Sequence, residues 1–105
     1  MARGFVHPAP KDFRLDAVLH ALSDSIRRAI VSKLMTCKKE GMSCSTTCNN
    51  LSPSTISFHY KVLRDSGLIT SRKVGVTVLN QLRLEEMNQR FPGLVSSVMK
   101  HDLKA

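Results

Sequence analysis

The stretch from Ser52 to Gly67 constrains the fold most, because both of its ends carry helix signals. Ser52 is a natural N-cap, since its hydroxyl can accept hydrogen bonds from the free amides of a first helical turn. Pro53 suits the first helical position, where a missing N–H costs nothing. Gly67 stands where a left-handed residue commonly ends a helix. We therefore predict one helix between these residues.

The two faces of this predicted helix differ in character. The spacing i, i+3, i+4, i+7 assigns one face to a core, with Ile56, His59, Tyr60 and Leu63. The opposite face carries Ser54, Ser57, Phe58 and Lys61. Small hydroxyl side chains let a helix approach a surface closely, as base reading in a DNA major groove requires. A face that is only solvated is more often rich in paired Glu, Lys and Arg.

Length and charge fit this interpretation. The 105 residues fit one domain, and 16 Lys and Arg against 8 Asp and Glu give a formal net charge of +8. That excess favours a polyanionic partner, nucleic acid before a membrane, although a basic protein without such a partner stays an alternative. No secretory signal, membrane-length apolar run or disulfide framework is recognisable. We expect a cytoplasmic protein without a membrane partner.

The first half of the domain predicts two helices. Residues 1–12 are interpreted as an N-terminal arm and residues 13–103 as the domain. A first helix from Phe13 carries the apolar stripe Leu15, Val18, Leu19 and Leu22. Ser23 is predicted to cap a second helix, with Asp24 in its first turn. Its predicted buried stripe is Ile26, Ala29, Ile30 and Leu34, and its predicted exposed residues are Arg27, Arg28 and Lys33.

A short helix is predicted over residues 43–50, directly before the helix that starts at Ser52. Its Ser, Thr and Asn residues are poor helix formers, but Cys44, Cys48 and Leu51 at i, i+4 and i+7 give it one apolar face. Two short helices joined by a tight turn make a helix-turn-helix.

After Gly67 the period changes to the alternation of strands. Residues 68–73 and 76–82, around a turn containing Gly75, predict a β-hairpin. Arg72 and Lys73 lie near its tip, so we interpret the hairpin as a charged wing. An exposed hairpin whose cations only keep it soluble is the alternative.

The last predicted helix covers residues 85–103, with a break at Pro92 and Gly93. A domain of this size has too little core to cover the apolar stripes of both its first and last helices. We therefore predict a homodimer through these terminal helices. The residues predicted for that interface are Phe13, Leu15, Phe91, Leu94, Val95 and Val98.

The order helix, helix, helix-turn-helix, wing, helix resembles the ArsR/SmtB family of bacterial winged-helix repressors. Residues 21–30 and 52–69 carry the resemblance, above all Ser-x-His followed by Lys-Val-Leu-Arg and Gly-Leu, and residues 82–94 resemble one subgroup. The implied fold is mainly α (α+β), a winged helix-turn-helix of about five helices and a two-stranded wing. The implied function is a homodimeric repressor that binds a double-stranded DNA operator, not an enzyme.

The resemblance also implies which residues meet DNA. By position, the groove-facing set is Ser54, Thr55, Ser57, Phe58 and Lys61. Phe58 suits a thymine methyl group, and its alternative is burial under the wing. The set expected to hold phosphates or the minor groove is Ser52, Arg64, Arg72 and Lys73. His59 lies on the core side, so we interpret it as a structural residue that orients the helix through a hydrogen bond.

Family members often release DNA when a metal or metalloid binds, but two common ligand patterns are missing from this sequence. Neither Cys-x-Cys before the recognition helix nor Asp-x-His with a downstream His-x-x-Glu in the last helix is present. The thiols of Cys37, Cys44 and Cys48 form a candidate site for As(III) or another thiophilic metal, or for redox sensing. Packing as small apolar side chains is the competing interpretation of these cysteines. The sequence names neither the inducer nor the operator.

The sequence gives less support to two other classes of function, a thiol enzyme and an RNA-binding protein. A thiol enzyme would need a cysteine beside an oriented base, and nothing in the sequence places His59 in that role. An RNA-binding winged helix would favour a stacking platform of aromatic residues, but the four Phe and one Tyr are scattered through the chain.

Overall fold

A computed structural model of the chain describes residues 5–36, 42–43 and 51–102. Within these ranges the chain is mainly helical with one antiparallel sheet, which confirms the predicted fold class. In chain order the elements are a 3-10 helix Pro10–Asp12, α1 Leu15–Ala21, α2 Ser25–Met35, β1 Met42–Ser43, α3 Pro53–Ser66, β2 Ile69–Val74, β3 Thr77–Leu82, α4 Leu84–Arg90 and α5 Leu94–Asp102. The short helix predicted over residues 43–50 lies outside the described residues, except that Ser43 ends β1.

Helix α3 has the two ends that the sequence predicts. The Ser52 hydroxyl accepts a hydrogen bond from the Thr55 amide at 3.3 Å, and Pro53 is the first helical residue. Gly67 ends the helix with a φ of 93°, and a Cβ atom there would collide with the ring of Phe13. Both conformation and space therefore require glycine at position 67.

The core contains residues from α1, α2, α3, the start of β2, and the last two helices. The inward face of α3 is the predicted one, since His59, Tyr60 and Leu63 are buried and Ile56 is partly buried. Other fully buried side chains are Val18, Ile30, Val31, Leu68, Ile69, Met87 and Val95.

Helix α2 departs from its predicted cap and stripe. Its N-cap is Asp24 and not Ser23, because the Asp24 carboxylate accepts from the amides of Ile26 and Arg27. A carboxylate is also favoured at a helix N-terminus by the helix dipole. Arg27, predicted to be exposed, is 5% exposed, whereas Ala29, predicted to be buried, is exposed.

The predicted hairpin forms and joins a third strand. Val74 pairs with Thr77, so the turn consists of Gly75 and Val76. The φ of 64° at Gly75 suits the first central position of a tight hairpin turn. Strand β1 pairs with β3, which gives the order β1-β3-β2 and leaves β2 at an edge. The hairpin pattern predicts only two strands, because a strand of two residues shows no alternation.

The terminal helices correct part of the predicted interface. Phe13 and Val95 are 2% and 0% exposed, so they belong to the protomer core and are not available to a partner. Leu15 is 46% exposed, so its side chain is accessible to a partner subunit, as the predicted interface requires. The other three residues predicted for the interface are partly buried; they are Phe91, Leu94 and Val98. The break between the last two helices is where it was expected, although α5 begins at Leu94 and not at Pro92.

Candidate nucleic-acid interface

The outward face of α3 brings together most of the residues singled out by the sequence. Ser52, Ser54, Ser57, Phe58 and Lys61 are exposed, and Thr55 is half-buried. At the start of the helix, the Ser52 hydroxyl lies 2.9 Å from the Thr55 hydroxyl and 3.3 Å from the Ser54 hydroxyl. The result is a narrow face on which hydroxyl groups stand close to the backbone.

Phe58 is the large apolar side chain on this face. It is 57% exposed, so the alternative in which the wing buries it does not apply within the protomer. Its ring meets the ring of His59 edge-on, with centroids 5.6 Å apart and an angle of 60° between the planes. An exposed aromatic residue among hydroxyl groups can make an apolar contact with a partner surface.

The two cations of α3 have different environments. The Lys61 ammonium lies 2.8 Å from the Asp65 carboxylate, and both side chains are more than half exposed, at 66% and 59%. Such a surface pair contributes little to stability and can exchange partners. The Arg64 guanidinium is half-buried instead. It donates to the Ser71 hydroxyl at 3.1 Å and lies 4.5 Å from the centre of the Phe5 ring.

The wing presents both charge and apolar surface. Arg72 and Lys73 are exposed on β2, as predicted. Val74 and Val76 at the tip are 49% and 97% exposed, which was not predicted. Both valines are plain in the sequence, but β-branched residues are typical of strands, so their presence does not by itself indicate exposed apolar surface.

A buried polar contact holds α3 from behind. Arg27 donates from Nε to the Ala21 carbonyl at 2.8 Å and from Nη2 to the His20 carbonyl at 3.2 Å. Its Nη1 lies 3.2 Å from Nδ1 of His59. A guanidinium group can only donate, so Nδ1 accepts and the ring proton of His59 lies on Nε2. This is the helix-orienting hydrogen bond expected for His59, although its partner was not foreseen.

The carboxylate of Asp24 interacts electrostatically with the buried Arg27 guanidinium. Partial burial raises its pKa, but hydrogen bonds from the amides of Arg27 and Ile26 and the nearby charge of Arg27 outweigh that effect, so the pKa is lowered. The Asp24 side chain therefore stays ionised beside the guanidinium that contacts His59.

The N-terminal segment also contacts this region, and no pattern in the sequence predicts this contact. Nε2 of His7 accepts from the Ser71 amide at 2.9 Å, and the Pro8 carbonyl accepts from Arg83 at 2.8 Å. Burial, followed by the charges of Arg83 and Arg64, lowers the pKa of His7. Proline-rich composition indicates an irregular segment and carries no signal for where that segment docks.

The candidate thiol site is not tested by this structure. Cys37, Cys44 and Cys48 all lie outside the described residues. Among the residues that are described, no three His, Cys, Asp or Glu side chains come close enough to hold a metal ion. Asp102, at the end of α5, pairs with Arg28 at 2.9 Å.

Within residues 5–36, 42–43 and 51–102, none of the helices combines the length and apolar character needed to cross a membrane.

Comparison with known proteins agrees with the fold. The family model described as "Bacterial regulatory protein, arsR family" matches residues 24–71. The uncharacterized HTH-type transcriptional regulator YceK of Bacillus subtilis (strain 168) is 34% identical over 83 residues, which span 77% of this chain and 82% of that protein. The solved structure of an ArsR-like transcriptional regulator from Rhodococcus sp. RHA1 is 28% identical with a TM-score of 0.60, covering 86% of this chain and 84% of the other.

Proposed function

Because this chain belongs to the arsR family of bacterial regulatory proteins, we propose that it is a transcriptional repressor that binds a double-stranded DNA operator as a homodimer. An inducer releases the repressor from its operator. The outward face of α3 is the observation that carries this proposal, since it combines exposed hydroxyl groups with one aromatic residue and one cation. As a regulator of bacterial genes, the protein works in the cytoplasm.

The side chains of α3 divide into two roles in this proposal. Those that reach base edges in the major groove are Ser54, Thr55, Ser57, Phe58 and Lys61. Hydroxyl groups donate to or accept from base edges, and the Phe58 ring suits a thymine methyl group. Phosphate and minor-groove contacts belong to Ser52, Arg64, Arg72 and Lys73, which fix the position of the protein on the duplex.

Electrostatics support the same partner. The protein carries a formal net charge of +8, and Lys61 forms an exposed ion pair with Asp65. A phosphate group can replace the Asp65 carboxylate at little cost, because both partners are already solvated. Binding also releases counterions, so affinity falls with salt by about 0.9 logarithmic units per logarithmic unit of salt for each phosphate contacted.

The second copy of the chain is proposed to cover apolar surface on the terminal helices. Leu15 and Leu19 are 46% and 44% exposed on α1, one helical turn apart. Phe91, Leu94 and Val98 remain partly exposed after packing on the core. A two-fold dimer would present two α3 helices to half-sites about 34–36 Å apart.

A binding experiment tests this function. Fluorescence anisotropy with duplex DNA from the protein's own promoter region should show salt-sensitive binding, and double-stranded RNA of equal length should bind more weakly. Lys61→Ala should lose about tenfold or more in affinity, since a charge-assisted contact is removed. Lys100→Ala removes an exposed lysine of α5 and serves as the matched control. Equal affinities for DNA and RNA, or an unchanged Lys61→Ala variant, would contradict the proposal.

The thiol-sensing form of the same repressor is a second candidate that rests on the sequence alone. Cys44 and Cys48 are four residues apart, which is the spacing of one helical turn, and Cys37 precedes them. Thiolates are the ligands that As(III) and other thiophilic metals prefer. The double change Cys44→Ser with Cys48→Ser should abolish release of DNA by arsenite. If release persists unchanged, these cysteines do not form the sensor.

A further inference from the structure

Residues 5–13 lie against three separate elements of the domain rather than extending away from it. They contact the C-terminal part of α3, the edge strand β2, and Arg83 directly before α4. These contacts join positions more than 50 residues apart in the sequence. We call residues 5–13 the strap.

The first anchor of the strap is the Phe5 ring. It lies 4.5 Å from the guanidinium carbon of Arg64, which is within range of a cation–π interaction. Arg64 also donates to the Ser71 hydroxyl, which in turn donates to Asn80 at 2.6 Å. The guanidinium of Arg64 is thus held both by the strap and by the sheet.

The second anchor is His7 on strand β2. Because β2 is an edge strand of the sheet, some of its amides point away from β3. The Ser71 amide is one of these, and it donates to Nε2 of His7 at 2.9 Å. His7 therefore takes the place that a further strand would occupy at this position.

The third anchor lies at the start of α4. Arg83 donates from Nη1 to the Pro8 carbonyl at 2.8 Å and from Nε to Glu86 at 2.7 Å, and its guanidinium lies 4.9 Å from the centre of the Phe13 ring. Phe13 in turn fills the space that the missing side chain of Gly67 leaves. The strap is therefore held at both ends and in the middle.

We propose that the strap is a positioning element of the DNA interface, in which Phe5 and His7 hold Arg64 and the base of the wing in the arrangement that meets the phosphate backbone. This inference rests on the proposed function. A cation–π contact with Phe5 holds the Arg64 guanidinium without neutralising its positive charge, so the charge can still attract phosphate.

Preorganisation gives the strap its effect on affinity. A long side chain that is already held in one conformation loses less entropy when it binds. The same applies to β2, since its Ser71 is bonded on the open side by His7 and through its hydroxyl to Arg64 and Asn80. Loosening the strap should therefore weaken DNA binding while the outward face of α3 stays intact.

Four variants in the strap test this proposal. Phe5→Ala removes the ring over Arg64, and His7→Leu removes the acceptor for the Ser71 amide. His7→Gln keeps an acceptor, because its amide oxygen can replace Nε2. Val6→Ala is the matched control, since Val6 is 83% exposed between the two anchors. Operator affinity should fall about threefold to tenfold for Phe5→Ala and His7→Leu, and stay within about twofold for the other two.

Protection of the Ser71 amide from hydrogen exchange provides a readout without DNA. It should fall in His7→Leu and be retained in His7→Gln and Val6→Ala. If the wild type shows no operator binding, the proposed function fails while amide protection still tests the docking of the strap. If the wild type binds and Phe5→Ala and His7→Leu bind equally well or more tightly, the strap does not position the interface and the inference is overturned.

Discussion

Arg27 shows how a single residue can fix the position of helix α3. Its side chain is 5% exposed, and its nitrogens donate to the carbonyls of His20 and Ala21 and to His59. A buried guanidinium is tolerated only when its donors are satisfied, and here they join the end of α1 to the middle of α3. The orientation of the proposed DNA-reading face thus depends on a contact on the opposite side of α3.

Replacing Arg27 by methionine should destabilise the fold by about 2–4 kcal/mol, because it leaves buried acceptors unpaired. Urea denaturation followed by circular dichroism measures this change. Lys33→Met, at an exposed position of the same helix, is the control and should stay within about 0.5 kcal/mol of the wild type. Equal stability of the two variants would show that the buried contacts of Arg27 have no net effect.

In the structure Arg27 lies on the inner face of α2. Arg27, Ile30, Val31 and Leu34 stand at i, i+3, i+4 and i+7, and all four are buried. The sequence predicts an exposed Arg27, and charged side chains are rarely buried without partners. Those partners are two backbone carbonyls and one ring nitrogen from other parts of the chain, so only the folded structure reveals them.

The stability of the protein is expected to depend on pH through His7. Burial and the charges of Arg83 and Arg64 lower its pKa below the ordinary value of 6.5, and its Nε2 must be unprotonated to accept from Ser71. A lowered histidine pKa means that the docked strap binds a proton less readily than the unfolded chain does. Its contribution to stability is therefore complete above the ordinary pKa and is lost as pH falls through the lowered one.

Thermal unfolding from about pH 7.5 to about pH 5.5, on either side of the ordinary histidine pKa, tests this dependence. The wild type should lose more stability on acidification than His7→Gln, whose side chain does not titrate. The other histidines are present in both proteins, so the difference between the two curves isolates His7. Parallel curves would show that protonation of His7 does not affect the strap.

At the scale of elements, Gly67 joins α3 to the hairpin and sets their relative position. Its φ of 93° is unfavourable for any other residue, and its missing side chain makes room for the Phe13 ring. Gly75 offers a comparison, since its φ is 64° but nothing lies within 4 Å of the position a Cβ would take. Comparing substitutions at the two glycines therefore distinguishes the cost of backbone strain from the cost of a steric collision.

Gly67→Ala should therefore cost more stability than Gly75→Ala. Strain at positive φ costs about 1–3 kcal/mol in either variant. The collision with Phe13 adds about 1–3 kcal/mol at position 67 alone. Chemical denaturation of both variants gives the difference. Equal losses would mean that the Phe13 ring moves aside without cost.

Elements with signals in neighbouring residues were predictable, and elements stabilised from a distance were not. Helix α3 has its cap, its proline and its terminal glycine within one stretch, and the hairpin has its turn between alternating strands. In contrast, β1 forms by pairing with β3, and the strap docks through contacts separated by 64 and 75 residues. No local pattern encodes such contacts, which is why the arm was predicted without its docking site.

At the scale of the whole molecule, the face of α1 that carries Leu15 and Leu19 is apolar surface that the protomer core leaves exposed. Both side chains are more than 40% exposed, so charged residues can replace them without cavities in the protomer. The double change Leu15→Glu with Leu19→Glu should therefore dissociate the proposed dimer and leave the fold intact. Sedimentation at micromolar concentration should shift from twice the chain mass of 11.7 kDa to the single chain.

Operator affinity should fall together with dimerisation. When two half-sites are bound by linked subunits, the second contact is intramolecular and raises the overall affinity by about a hundredfold or more. The variant should lose that factor on a two-half-site duplex and little on a single half-site, because α3 is unchanged. Val74→Asp, which adds charge at an exposed apolar position of the wing, is the control for association. A variant that still sediments as a dimer would place the subunit interface elsewhere, whereas a monomeric wild type would remove the two-fold arrangement from the mechanism.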